Sequence, residues 1–194
     1  MNRIDAINEF VRARGYTSYL EIGCQADVAF SGVELPEGAL KIGVDPVSGG
    51  TLRMPSDEFF DMSTLKFDVI FVDGNHHHDQ VWRDLCNALH ALKEGGVILM
   101  HDCLPPDADH ESLGLCGTAW RAFAKTRERI ELEGYTGDFD YGVGVLWLAK
   151  NSSPIRVGRP LGDLTYADFV ANREAWMRPL SADQFRRLAK VGHP

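Results

Sequence analysis

The chain has 194 residues, 44% hydrophobic and 25% charged, an ordinary globular composition with apolar material for one full α/β core and a small appendage. Its formal net charge of −8, with no basic patch longer than Arg186-Arg187, weighs against a nucleic-acid partner, because phosphate binding needs clustered Lys and Arg. Met1-Asn2-Arg3-Ile4-Asp5 lacks the apolar core of a signal peptide and no run reaches membrane-spanning length, so a cytoplasmic setting without a membrane partner is expected.

Ile4, Ile7, Phe10 and Val11 form one helical face, and Gly15 ends that helix before Tyr19-Leu20-Glu21-Ile22, the first strand. Gly23-Cys24-Gln25-Ala26-Asp27 follows: a glycine directly after a strand allows a tight turn, leaves N–H groups free for a ligand and opens a helix with its positive dipole end. Leu40 to Asp45 reads as a second strand ending in an acid, 24 positions beyond Glu21, where a Rossmann-like sheet places a carboxylate for a ribose diol. Pro46 to Pro55 is a loop, and Ser56-Asp57-Glu58-Phe59-Phe60 a short capped helix.

The stretch from Phe67 to Asp102 is a β-α-β unit. Phe67 to Val72 and Val97 to Met100 are nearly unbroken apolar runs, the mark of strands buried on both faces of a parallel sheet. Between them Val81, Leu85, Ala88, Leu89 and Leu92 lie on one helical face, which Gly95-Gly96 closes. Ligands of such sheets gather at the carboxyl ends of the strands, which here carry Asp73, His76, His101 and Asp102.

Cys103 to Gly117 is a polar loop, long enough for a lid. Trp120, Phe123 and Ala124 begin a helix running to about Arg129, and Leu132 to Tyr135 with Val143 to Leu148 form an antiparallel edge hairpin connected through Gly137 and Asp138. The expected core is residues 1–150. Residues 151–194 are a helical extension, with helices near Tyr166 to Met177 and Ala182 to Val191, that packs Phe169, Trp176 and Phe185 on the core or on a second copy in a homo-oligomer. Cys24, Cys86, Cys103 and Cys116 form no C-x-x-C pair and read as reduced thiols.

Tyr19-Leu20-Glu21-Ile22-Gly23-Cys24, Gly43-Val44-Asp45-Pro46, Ser56 to Phe60, Phe67 to His76 and Gly95 to Asp102 together resemble the class I S-adenosylmethionine-dependent methyltransferases over most of residues 17–150. The Asp-Gly-x-His and His-Asp pairs resemble the small bacterial branch related to the metal-dependent sugar O-methyltransferases of macrolide biosynthesis. The resemblance implies an α/β, Rossmann-like, mostly parallel seven-stranded sheet with helices on both faces, an antiparallel edge hairpin and a helical C-terminal tail. It assigns Glu21, Gly23, Cys24, Asp45, Pro46, Ser56, Asp57 and Asp73 to S-adenosylmethionine: Glu21 and Gly23 on the methionine side, Asp45 at the ribose, Ser56 and Asp57 at the adenine. Gln25 departs from the pattern, standing where Glu-x-Gly-x-Gly has its second glycine.

The implied reaction is in-line methyl transfer to a hydroxyl of a small, sugar-like molecule. A hydroxyl is a poor nucleophile until it loses its proton. His76 and Asp73 are assigned to catalysis, His76 as general base, because an imidazole can take a proton near neutrality; the alternative is a histidine capping the following helix. Asp73, His101 and Asp102 are assigned to Mg²⁺ or another divalent cation, His101 standing where the sugar enzymes carry an acid. Alternatively Asp73 touches only the cofactor and Asp102 caps a turn. His77 and His78 read as surface or helix-start residues, Cys103 as no nucleophile, and Asp138, Asp140 and Glu111 as solvated. Trp120, Tyr135 and Tyr141 fit either an acceptor pocket or the core. Two rival functions remain: a metal-dependent hydrolase built on His76, His77, His101 and Asp102, and a nucleotide- or S-adenosylmethionine-binding module without catalysis.

Overall fold

The computed structural model describes residues 1–191. Helix α1, Arg3–Arg14, starts at a capping box between Asn2 and Asp5, whose side chains satisfy each other's backbone N–H groups, and stops at Gly15 in a left-handed conformation (φ 63°). Strand β1, Ser18–Ile22, is buried at every position. It lies between β2, Leu40–Val44, and β3, Phe67–Val72, parallel to both.

Strand β4, Leu92–Met100, runs parallel to β3, while β6, Val143–Leu148, pairs antiparallel with both β4 and β5, Leu132–Gly137. Two residues of the tail, Pro179–Leu180, form β7 against β5, completing a seven-stranded sheet in the order β2-β1-β3-β4-β6-β5-β7. The expected class of sheet is present, with one difference of detail: its seventh strand comes from the tail, so the β5–β6 hairpin has a neighbour where an open edge is expected.

Strand alternation divides the core. Ile70, Val72, Ile98 and Met100 pack on one face beneath α4, His78–Ala91, α5, Ala119–Thr126, and α6, Tyr166–Met177. Val69, Phe71, Val97 and Leu99 pack on the other beneath α1 and α7, Ala182–Val191. Tail residues enter both cores, Trp176 stacking with Trp120 and Phe185 meeting Phe10 and Phe139 edge-on. Among the described residues, no helix is long and apolar enough to cross a membrane. All four cysteines are free thiols.

Two local expectations fail. Gly95-Gly96 does not close α4: the helix stops at Ala91 and the chain enters β4 at once, with Gly95 at φ 73° in the irregularity that shifts register from Phe67↔Leu92 to Val69↔Val97. Ser56 does not cap α3, Ser56–Met62; Pro55 holds the cap position, and the Ser56 hydroxyl donates to Asp84 instead.

Register is what builds the site. Ile22 pairs with Val44 and Val72, and Val72 with Met100, so the next residues along the chain, Gly23, Asp45, Asp73 and His101, emerge abreast from the sheet. Backbone bonds continue the ladder one step: Gly23 N–H donates to Val44, Asp73 N–H to Ile22 and His101 N–H to Val72.

Candidate active site

At Gly23 the backbone sits at φ 88°, and a Cβ would lie 2.3 Å from the Asp73 carbonyl oxygen, so β3 can approach only a glycine here. Gln25, at the place of the second glycine, adopts φ 45°, the left-handed conformation a glycine would take more cheaply.

The turn's N–H groups are not free, contrary to expectation. Gly23 donates to Val44, while Cys24 and Gln25 both donate to Asp45 Oδ2 at 3.0 Å. Asp45 Oδ1 accepts from Val47 at 2.7 Å and Ser48 at 2.8 Å. Burial opposes ionisation of Asp45, but these four backbone donors outweigh it and hold the carboxyl below its ordinary range. Asp45 therefore ties the Gly23 turn to the end of β2. The helix after the turn, α2, covers only Val28–Gly32, too short and too late to offer the expected dipole.

Beyond β3 and β4 the side chains converge. His76 Nδ1 hydrogen-bonds the Leu115 carbonyl, which fixes the proton on Nδ1 and leaves the Nε2 lone pair facing Asp73 Oδ1 at 3.6 Å and Asp102 Oδ2 at 3.4 Å. The bond to Asp73 raises the His76 pKa, burial works against it, and Asp102 adds to the rise. His77, not His76, caps α4, accepting from Asp79 N–H.

His101 points Nδ1 at Asp73 Oδ1 (3.4 Å) and Asp102 Oδ2 (3.2 Å) and Nε2 at Asp140 Oδ1 (3.6 Å). Burial opposes its charge, yet Asp102, Asp140 and Asp73 together push its pKa up to about 11. Asp140 is thus no solvated acid: it also accepts from the Arg3 backbone at 2.7 Å and from its guanidinium at 3.3 Å. Glu111 is likewise engaged, accepting from Trp120 Nε1 and Arg121.

Burial pushes Glu21 up to about 8 although Tyr19 donates a hydrogen bond to it, so near neutrality it is mostly a neutral acid. Cys103 is fully buried with its thiol pushed well up by burial, an inert side chain.

Two cavities meet at Asp73 and His76. The first, about 310 Å³, is lined by Arg3, Glu21, Gly23, Cys24, His101, Asp102, His110 and Tyr141 as well. The second, about 600 Å³, runs over Ile22 and Val44 to Asp45, Pro46, Ser56, Asp57 and Asp84. Every residue assigned by sequence to the cofactor lines one or both. Gly114 of the long loop lines both, and that loop is seated on His76: a Cβ at Gly117 would fall 2.5 Å from His76 Cβ.

Tyr141 reaches the first cavity and stacks on His110 at 5.8 Å, whereas Trp120 belongs wholly to the core and Tyr135 stacks on Trp147. Arg3, His110, Asp140 and Asp84 escape sequence reading. Arg3 sits on a helix with no pattern of its own to mark it. Asp140 and Tyr141 adopt φ 49° and φ 58° before Gly142, a turn that only its Asp-Tyr-Gly sequence hints at.

The donors that could hold a cation are Asp73, His76 and Asp102, whose ligand atoms lie within 4.8 Å of one another. The set assigned from sequence has His101 in place of His76, and His101 Nδ1 also lies 3.4 Å from Asp73 Oδ1 and 3.2 Å from Asp102 Oδ2. His77, His78 and Asp79 also lie close, but the two rings stack at 4.2 Å and 28°, so their in-plane lone pairs run side by side and do not converge.

A family model described as a methyltransferase domain matches residues 39–103. No curated protein sequence matches the chain. Among solved structures, the fold is similar to that of a Podospora anserina methyltransferase bound to S-adenosylhomocysteine (19% identity, 77% of this chain and 80% of that chain, TM-score 0.58). It is similar to an O-methyltransferase of Streptomyces achromogenes involved in tomaymycin synthesis, in complex with S-adenosylmethionine (15%, 76% and 79%, TM-score 0.58). It is also similar to an O-methyltransferase of Bacillus cereus in complex with S-adenosylhomocysteine (13%, 77% and 82%, TM-score 0.53). This chain has the class I methyltransferase fold, and its residues 39–103 resemble a methyltransferase domain.

Proposed function

We propose that the chain transfers the methyl group of S-adenosylmethionine to a hydroxyl of a small, sugar-like molecule, with His76 as general base. One observation carries this reading: His76, its Nδ1 committed to the Leu115 carbonyl, turns Nε2 into the junction of the two cavities. Two of the similar structures are described as O-methyltransferases, and all three hold S-adenosylmethionine or S-adenosylhomocysteine.

Bound across the junction, S-adenosylmethionine supplies a methyl group on a positively charged sulfur. The larger cavity takes the adenosine end, and Glu21, Gly23 and Cys24 flank the methionine end. The acceptor enters the smaller cavity, whose lining adds Arg3, His110 and Tyr141 to the residues at the strand tips. As the acceptor oxygen bonds to the methyl carbon, the carbon–sulfur electron pair returns to sulfur, and the acceptor's proton passes to His76 Nε2. Asp73 and Asp102 favour the resulting imidazolium.

A second reading rests on the convergence of Asp73, His76 and Asp102. Two carboxylates and an imidazole suit a divalent transition metal better than Mg²⁺, and such an ion would lower the acceptor hydroxyl's pKa. The two readings exclude each other at one atom, since Nε2 cannot both ligate and accept the proton.

Incubation with S-adenosylmethionine and a panel of polyols and glycosides, following S-adenosylhomocysteine release, tests the function. Turnover that persists in a chelator and is abolished in His76→Gln supports the base. Turnover lost on chelation and restored by Mn²⁺ or Zn²⁺ supports the metal. Binding of S-adenosylhomocysteine without turnover of any acceptor would leave a binding module and refute both.

A further inference from the structure

His110 carries a ring nitrogen that the reaction above does not use. It sits in a short 3₁₀ turn, Ala108–Glu111, midway along the loop after β4, and its side chain, 26% exposed, lines the smaller cavity. Asp107 caps the turn, accepting from the His110 backbone N–H at 3.1 Å and from ring Nδ1 at 2.6 Å. Glu111, the next residue, is pinned to α5 by Trp120 Nε1 at 3.0 Å and by Arg121 at 2.9 Å. The ring stacks on Tyr141, whose own carbonyl accepts from Leu104 N–H at 2.7 Å, so the β5–β6 turn and the loop hold the imidazole between them. With Nδ1 committed to Asp107, Nε2 is the nitrogen left for a ligand; among the described residues neither it nor the Tyr141 hydroxyl has a hydrogen-bond partner. An imidazole oriented in this way before any ligand arrives loses little freedom on meeting one.

The class of ligand follows from charge. Arg3 and His101, the cations of this cavity, are already paired with Asp73, Asp102 and Asp140, which leaves no surplus positive charge to hold an anion. A hydroxyl suits Nε2, because it donates to a neutral imidazole and accepts from a charged one. We propose that His110, braced by Asp107 and Tyr141, binds a second hydroxyl of the acceptor while His76 meets the reacting one, so that the substrate is a polyhydroxylated molecule held at two points. The inference rests on the function proposed above and adds the residue that selects which hydroxyl is methylated.

Steady-state kinetics of the full chain test it at saturating S-adenosylmethionine, with methyl glucoside, galactoside, mannoside and rhamnoside and with the monodeoxy analogues of whichever is methylated fastest. In the wild type, removing one hydroxyl other than the methylated one should lower kcat/KM about fivefold or more, the worth of a good hydrogen bond. His110→Phe keeps a ring against Tyr141 and removes both nitrogens. It should raise KM for the parent glycoside by a similar factor of about five, hold kcat within about threefold, and become indifferent to loss of that same hydroxyl. A merely structural role would raise KM for parent and analogue alike and preserve the penalty. A wild type with no such second-hydroxyl penalty, a smaller change in KM, a loss carried by kcat, or a penalty that survives in the variant overturns the proposal. Thermal unfolding checks that His110→Phe is folded; where it is not, His110→Ala is judged by the same criteria. Should S-adenosylhomocysteine bind while no glycoside is methylated, the sugar-like acceptor reading falls and this inference with it; methylation without a second-hydroxyl preference removes the inference alone.

Discussion

Asp45→Asn probes the joint between the Gly23 turn and the sheet. The aspartate gives two acceptor oxygens to four backbone donors: Oδ2 to Cys24 and Gln25, Oδ1 to Val47 and Ser48. Asparagine keeps one carbonyl oxygen and must turn its amide towards the other pair. The buried Cys24 side will hold the oxygen, leaving Val47 and Ser48, both exposed, to lose their bonds. Two bonds lost at a half-wet site cost about 1 kcal/mol each, and neutralising the surviving pair costs roughly another 1, for about 2–3 kcal/mol in all. In a chain of this length that corresponds to a fall in Tm of roughly 4–12 °C. Urea unfolding of the wild type and Asp45→Asn at pH 7 measures it directly, and affinity for S-adenosylhomocysteine should fall in parallel because the turn shapes both cavities. The pH dependence has a definite sign. The Asp45 carboxyl is held below its ordinary value, so its contribution is fully present above about pH 4, the unfolded value, and disappears as pH falls through the folded one. The gap between wild type and variant should therefore close in acid. A variant within about 0.5 kcal/mol of wild type at pH 7, or a gap that widens in acid, would refute the reasoning.

His76→Gln should lower kcat on a true acceptor by about 10²–10⁴-fold, the usual worth of a general base. Because Asp73 and Asp102 raise the His76 pKa, the wild-type rate should climb with pH along an acid limb centred above about 6.5, and the variant should lack that limb. Gly117→Ala combines φ +58° with a Cβ 2.5 Å from His76 Cβ; left-handed strain and overpacking of about 1–3 kcal/mol each should lift the loop and raise KM for the acceptor more than they lower Tm. Phe185→Ala empties a tail position that is fully buried against Phe10 and Phe139 and should cost about 3–5 kcal/mol in urea unfolding while leaving S-adenosylhomocysteine affinity unchanged below the transition.

The parts of this molecule that sequence makes legible are those where one physical demand dominates. Strands β3 and β4 must be apolar at nearly successive positions because helices cover both faces, and their ends then fix where Asp73 and Asp102 stand. Helix α7 follows from amphipathic spacing, whereas α6 carries no such stripe and begins at a capping box between Thr165 and Asp168. Where a position answers to a distant partner, local pattern is silent. Ser56 resembles an N-cap, yet its hydroxyl is claimed by Asp84 from another helix. Asp140 resembles a solvated loop acid until Arg3 and His101, both distant from it in the chain, converge on it. The Gly23 turn reads as one with N–H groups free for a ligand, and only Asp45, 20 residues beyond Gln25, reveals that those groups are taken.

Binding of the adenosyl product by the intact chain at the joined cavities is the most direct test of the proposed function. Calorimetry of the wild type with S-adenosylhomocysteine should show saturable binding to one site per chain, weakened in Asp45→Asn. Absence of heat across several temperatures with the folded protein, or binding unaffected in Asp45→Asn, would contradict it.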